Sequence, residues 1–197
     1  MKQDLTVRPS LQMSQLLHSP WVICLTAGLF FFYDFIQLNM FNTLNPYIAQ
    51  TFTLDAVQIG NMSATYLYAT VLMLPFSGAL LDRYSTRTVI LTATLICTFS
   101  TLLFAIAPNF WIASLARFIC GGSTAFCFLS CIVLATRWFP AKKLAQVTGV
   151  IVTMAMAGGA ISQAPMAYLI DLYGWRNALL FDGALGLFFF IIIYQIV

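Results

Sequence analysis

Three ionisable side chains, Asp34, Arg117 and Asp182, stand deep inside long apolar stretches of this 197-residue chain. An ionised group at the centre of a membrane-crossing helix costs about 2.5–3.5 kcal/mol even on insertion scales, so such residues are normally partnered or put to use. A carboxyl group in that setting can take up and release a proton, and a guanidinium can hold an anion through paired hydrogen bonds. Two readings follow for the first pair. In one, Arg117 attracts an anionic solute or a carboxylate and Asp34 carries a proton that couples its movement; in the other, the two form a structural salt bridge. With 1.5 Å of rise per helical residue, Asp34 lies about 20 Å from Trp21, Arg117 about 9 Å from Trp111 and Asp182 about 10 Å from Trp175. All three then reach a similar depth in a hydrocarbon layer of about 30 Å.

Helical spacing groups further residues around these charges. Gln37, Asn42 and Asn45 share one broad face with Asp34; Asn61, Thr65 and Tyr68 share a face of the next apolar run. Arg117 is grouped with Gly121, Thr124 and Phe128, and a later run groups Gly149, Met156, Gly159 and Gln163. Such faces are expected to line water or protein. A catalytic centre is not expected: His18 is the single histidine, and neither a paired-carboxylate nor an HExxH pattern occurs. Cys24, Cys97, Cys120, Cys127 and Cys131 lack CxxC spacing and read as small apolar fillers, so neither a metal nor a cofactor is predicted.

The elements that must position these residues follow from composition. Apolar residues make up 61% of the chain and charged residues 8%, too few to solvate a globule of this size in water. Six runs are long enough to cross a bilayer: 21–48, 57–81, 88–107, 110–136, 145–170 and 177 to the end. Each must be a helix, because a lipid-facing backbone has to close its hydrogen bonds within the segment. The expected class is therefore all-α and polytopic, with residues 1–19 as a cytoplasmic tail and 20–197 as a six-helix transmembrane bundle. Lys2, Arg8, Arg83, Arg87, Arg137, Lys142 and Lys143 fall on one side and Arg176 on the other, which puts the N-terminus in the cytoplasm. The net charge of +3 thus reports topology, and no basic patch interleaved with aromatics points to nucleic acid.

The chain also repeats itself. The segment Gly78-Ala-Leu-Leu-Asp82-Arg83-Tyr-Ser-Thr-Arg87 returns in distorted form around Asp171-Leu-Tyr173-Gly-Trp-Arg176, with a constant offset of 89 positions that also matches Gly60 with Gly149. Two three-helix units of opposite insertion sense, about 20–107 and 108–197, are the economical reading. Asp82 and Asp171 should then emerge on opposite membrane faces.

The segment Gly78-x-x-x-Asp82-Arg83-x-x-x-Arg87 between a second and a third span resembles the signature loop of the major facilitator superfamily, with Ser85 and Thr88 where the family usually has a glycine and a basic residue. Arg117-x-x-x-Gly121, with Ser123 replacing a following glycine, Trp138-Phe139-Pro140 and Gly174-Trp175-Arg176 resemble the branch that carries small organic or inorganic anions. The antiporter's Gly-Pro run is absent from the fifth span, where Gly158-Gly159 stands apart from Pro165. The resemblance implies the N-terminal six-helix half of a secondary transporter working by alternating access; coupling to protons is expected from Asp34, and a bacterial inner membrane is the expected location. It implies a small-molecule solute, a lipid bilayer, and a C-terminal six-helix half or a second copy as partners. It places the named faces of the first, second, fourth and fifth spans on a central cavity and leaves the sixth, with Asp182, peripheral. Gly78 is expected to let a neighbouring helix approach, while Asp82, Arg83 and Arg87 either latch two halves together or simply anchor a turn. The competing classes are a non-transporting receptor or assembly partner and, further off, a membrane-embedded enzyme.

Overall fold

The computed structural model describes residues 19–197; the N-terminal tail expected from the sequence, with Lys2, Arg8 and His18, lies outside the described residues. Seven helices follow one another: α1 Pro20–Phe52, α2 Ala56–Arg83, α3 Thr86–Ala105, α4 Phe110–Thr124, α5 Cys127–Trp138, α6 Ala141–Tyr173 and α7 Trp175–Ile196. The pair α4 and α5 makes one span, so six segments are long and apolar enough to cross a membrane. Most helices run a few residues beyond their apolar stretch, because hydropathy marks the hydrocarbon layer whereas the hydrogen-bond ladder continues until a cap ends it. Ser19, Asp55, Ser85 and Asn109 supply those caps at the starts of α1 to α4, and Asp55 with Gln58 forms a reciprocal capping box. Gly174 alone separates α6 from α7, at a φ of +80° that other residues adopt only at a cost of roughly 1 kcal/mol or more.

The fourth span, expected as one helix, runs from Phe110 to Trp138 with an irregular turn at Ala125–Phe126, both of which keep right-handed helical backbone. The cause is local. Gly121, Gly122, Ser123 and Thr124 are weak helix formers in series, and Ser123 and Thr124 turn their hydroxyls back onto the carbonyls of Cys120 (2.7 Å) and Gly121 (3.0 Å). Thr70 of α2 adds a third hydroxyl, 2.9 Å from the same Gly121 carbonyl. Side chains thus compete for the carbonyls at the point where the ladder becomes irregular.

The six spans pack around α1, which runs along α6 and touches α7 and the lower span segment α5. Close approach depends on glycine at two contacts. A Cβ on Gly158 of α6 would meet the Phe32 carbonyl oxygen of α1 at 2.6 Å, and one on Gly121 of α4 would meet the Tyr66 carbonyl oxygen of α2 at 2.1 Å. Two apolar clusters fill the interior, one around Phe30, Tyr33, Cys97 and Ile151, the other around Phe41, Leu44, Phe104 and Trp175.

The internal repeat has a physical counterpart. Arg87 Nη2, at the start of α3, donates to the carbonyl of Tyr194 at the end of α7 over 2.9 Å; Arg176 Nη1, at the start of α7, donates to the carbonyl of Ala105 at the end of α3 over 2.9 Å. Donors and acceptors are both related by the 89-residue offset, so one contact is made twice with the units exchanged, as a twofold relation requires. It also fixes α3 and α7 as antiparallel neighbours. Asp171 receives the Tyr47 hydroxyl (3.0 Å) near the C-terminal end of α1, whereas Asp82 closes α2, after the chain has returned to the end where α1 began. The two aspartates therefore lie at opposite ends, and the repeat is inverted.

Each arginine satisfies carbonyls that a helix end leaves without partners. The Arg176 contact is part-buried and the Arg87 contact exposed. Arg176→Met should therefore lower the thermal midpoint of the purified bundle, by a charged hydrogen bond's worth of about 1.5–3 kcal/mol, and Arg87→Met should lower it less. Thermal unfolding in nanodiscs checks the order.

Candidate functional site

Asp34 of α1, Tyr66 of α2 and Thr124 of α4 meet in one hydrogen-bonded row. The Tyr66 hydroxyl donates to an Asp34 carboxylate oxygen. Thr124 Oγ1 lies 3.0 Å from the Tyr66 hydroxyl and 3.0 Å from the Gly121 carbonyl, and its one proton can serve only one of them at a time. The row ends at the irregular turn of the fourth span. Tyr66 can be there because Gly121 has no side chain to hold α2 away.

Arg117 sits beside this row, 2% exposed. Its guanidinium carbon is 4.5 Å from the Phe41 ring centre and 4.6 Å from that of Tyr66. Contacts of this kind hold a cation by the negative face of the ring. Nη1 donates to the Gln37 carbonyl (3.0 Å), and the buried Nε has no partner. The salt bridge weighed from the sequence is not formed. Asp34 and Arg117 both reach Tyr66, one through its hydroxyl and the other over its ring. An arginine without a carboxylate partner keeps its anion-binding capacity. It borders a half-open cleft of about 360 Å³ that Asn39, Asn42, Gly60, Ser63 and Leu67 also line.

The other expected wall residues distribute differently. Asn42 lines the cleft, and Asn45 is half-buried with a side-chain oxygen that has no partner. Gln37 does not share the Asp34 face. It is 1% exposed, and its Nε2 donates to Asp182 Oδ2 on α7. A three-residue step leaves two side chains about 60° apart around the helix, and α1 meets several neighbours there, so one sequence face splits between two interior surfaces. Asp182 is buried, 4% exposed, and also receives the Tyr33 hydroxyl, 3.2 Å from its carbonyl and 3.4 Å from Oδ2. On α2, Asn61 and Tyr68 are exposed, and Thr65 is half-buried with its hydroxyl on the Asn61 carbonyl (2.7 Å). On α6, Gly149, Met156 and Gln163 are exposed, but Gly159 is buried against Asn39 and Phe35 and leaves that group. Phe128 is exposed beside Phe31.

The signature loop also departs from expectation. Among the described residues no atom comes within 4 Å of a Cβ position on Gly78. Asp82 and Arg83 are exposed, and Arg87 is engaged across the two inverted units by Tyr194. Tyr66 is the residue that reading the sequence missed. It lies on the buried stripe Met62, Tyr66, Ala69 of α2, which residue type alone does not mark out.

Comparison with known proteins bears on both fold and site. The Major Facilitator Superfamily matches residues 15–196. An uncharacterized transporter of Bacillus subtilis (strain 168), YybO, is 25% identical over 99% of this chain and 43% of its own length. The probable sulfoacetate transporter SauU of Cupriavidus necator is 24% identical over 81% of this chain and 37% of its own length, and the gentisate transporter of Corynebacterium glutamicum 25% over 77% and 35%. This chain thus spans well under half the length of these relatives. Among solved structures, a bacterial homolog of the human lysosomal transporter Spinster, inward-facing and occupied, superposes with a TM-score of 0.79 at 19% identity over 89% of this chain and 43% of that one. The fucose:proton symporter of E. coli gives 0.69 at 18% identity over 100% and 47%. Six apolar spans, an inverted repeat, and a sequence match that covers almost every described residue make this chain a member of the Major Facilitator Superfamily.

Proposed function

We propose that this six-span unit is the N-terminal half of a secondary active transporter that carries a small organic anion by alternating access, with a proton moving in the same direction. The observation that carries the reading is Arg117, a buried guanidinium held between two aromatic rings, with an unpartnered Nε and an open cleft beside it. An uncompensated cation in a low-dielectric surround attracts an anion of matching shape, and a carboxylate fits a guanidinium in two-point fashion. Relatives named for sulfoacetate, gentisate and niacin all handle acids of this kind, which supports a carboxylate here. Asp34 is the proton carrier in this reading, since it shares Tyr66 with Arg117 and can pass a change of charge to it.

The polar faces of α2 and α6, with Asn61, Thr65, Tyr68 and Gln163, complete the cavity once a second six-span unit, the C-terminal half or another copy, covers them. Residues 20–107 and 108–197 act as the two inverted units. Asp82 and Arg83 form the latch to the second half, with Gly78 at their approach, while Arg87 anchors the turn from within. The N-terminus faces the cytoplasm of a bacterial inner membrane.

The test is Asp34→Asn in the complete transporter reconstituted in vesicles. Uptake driven by an inward proton gradient should fall to background, while anion exchange at equal pH persists. Unchanged gradient-driven uptake of a carboxylate such as gentisate or nicotinate would retire Asp34 as the carrier.

A further inference from the structure

Inside the spans one guanidinium stands against two carboxyl groups. Arg117 and Asp34 share Tyr66, whereas Asp182, on the other side of α1, has only the neutral donors Gln37 and Tyr33. Both of those donors go to Oδ2 or to the backbone carbonyl; Oδ1 takes no hydrogen bond from the described residues. The adjacent Gln37 Oε1 is buried and has no partner either. A carboxyl group so placed either keeps its proton or takes a cation from outside, because a buried ionised acid without a counter-ion is costly.

Asp182 also lines a groove of about 330 Å³ between α1, α6 and α7. Phe32, Phe181, Phe189, Leu185 and Ser162 form much of its wall, and Phe32 and Phe189 pack edge to face, 5.9 Å between centres. Ile161 and Phe181 on its lining are 58% and 52% exposed, and Phe181 lies about 9 Å into its span from Trp175. The groove thus opens at the depth of the hydrocarbon layer, where apolar molecules concentrate. Aromatic faces around a carboxylate are the surroundings in which an organic ammonium is held, by ion pairing and by the ring quadrupoles.

We propose that this groove is a binding site for a small lipophilic amine, whose ammonium donates to Asp182 Oδ1 while its apolar part lies against Phe32, Phe181 and Phe189. The site is separate from the Arg117 cleft, opposite to it in charge preference, and reached from the membrane rather than from water. The groove's charge and shape select the occupant together: an amine without an apolar part would not partition to this depth, and an apolar molecule without a charge would leave Oδ1 bare.

The probe is 4-fluorophenethylamine, followed by ¹⁹F NMR against the purified chain in nanodiscs, with 4-fluorophenethyl alcohol as its uncharged counterpart. The amine should bind the unaltered chain and Asp34→Asn alike, and tenfold or more weakly to Asp182→Asn, which keeps the shape of the Gln37 contact. Phe181→Ala, at a position 52% exposed, should weaken it as well. Equal affinity in Asp182→Asn, or an alcohol that binds as tightly as the amine, would overturn the proposal. Neither result touches Arg117 or anion transport.

Discussion

Gly121→Ala should force α4 away from α2 and lower the thermal midpoint of the bundle sharply. A single added methyl would stand 2.1 Å from the Tyr66 carbonyl oxygen and 2.8 Å from its carbonyl carbon, and a backbone cannot swing aside as a side-chain tip can. Relief requires the two helices to part, which also stretches the 2.9 Å Thr70 bond to Gly121 and withdraws the Tyr66 hydroxyl from Asp34. Overpacking a well-filled interface costs about 1–3 kcal/mol and more where the obstacle is rigid, so this change belongs at the top of that range or beyond it. Its neighbour is the control. Gly122→Ala would meet only Met73 Cγ at 3.5 Å, an ordinary contact, and should leave the midpoint nearly unchanged. Thermal unfolding of both variants in nanodiscs decides the matter; equal midpoints would mean that α2 and α4 are not held by this contact.

Arg117→Gln should remove anion transport without removing the fold. Glutamine can still donate one hydrogen bond toward the Gln37 carbonyl and is smaller than the space it enters, but it carries no charge. Losing the charged member of a buried, hydrogen-bonded contact costs about 2–5 kcal/mol, so anion affinity should fall about thirtyfold at least. Arg117→Lys should recover little of it. An ammonium cannot lie flat between Phe41 and Tyr66 while presenting two parallel donors to a carboxylate. The measurement is anion binding and exchange by the complete transporter, with the melting profile of each variant as a check on folding. Exchange that survives Arg117→Gln at ordinary affinity would move the anion site elsewhere in the cavity.

These two predictions show where the sequence was informative and where it was not. Asp34, Arg117 and Thr124 could be singled out from residue type and depth, because a charge or a hydroxyl within a long apolar run stands out whatever surrounds it. Tyr66 could not, since a tyrosine in such a run is ordinary until a carboxylate is seen at its hydroxyl. The polar face of α1 was legible as a cluster but not as two: Asn42 borders the cleft with Arg117, while Gln37 faces Asp182. Reading one face presumed one partner surface, and α1 has several. The irregular turn after Thr124 follows the weak helix formers Gly121-Gly122-Ser123-Thr124, and Thr70 of α2 reaches the Gly121 carbonyl beside it.

What the sequence determined by itself is what local rules control. Apolar length set six spans, since a lipid-facing backbone must bond to itself. The 89-residue offset set the inverted pairing that Arg87 and Arg176 later display. Tertiary structure alone decided which polar side chains meet. Partner choice between helices turns on small residues such as Gly121 and Gly158, on the angle at which each helix crosses, and on contacts between positions far apart in the chain. Asp182 makes the difference plain: its burial was foreseeable from the run around it, but its place beside Gln37 and Tyr33 follows only from the packing of α7 against α1.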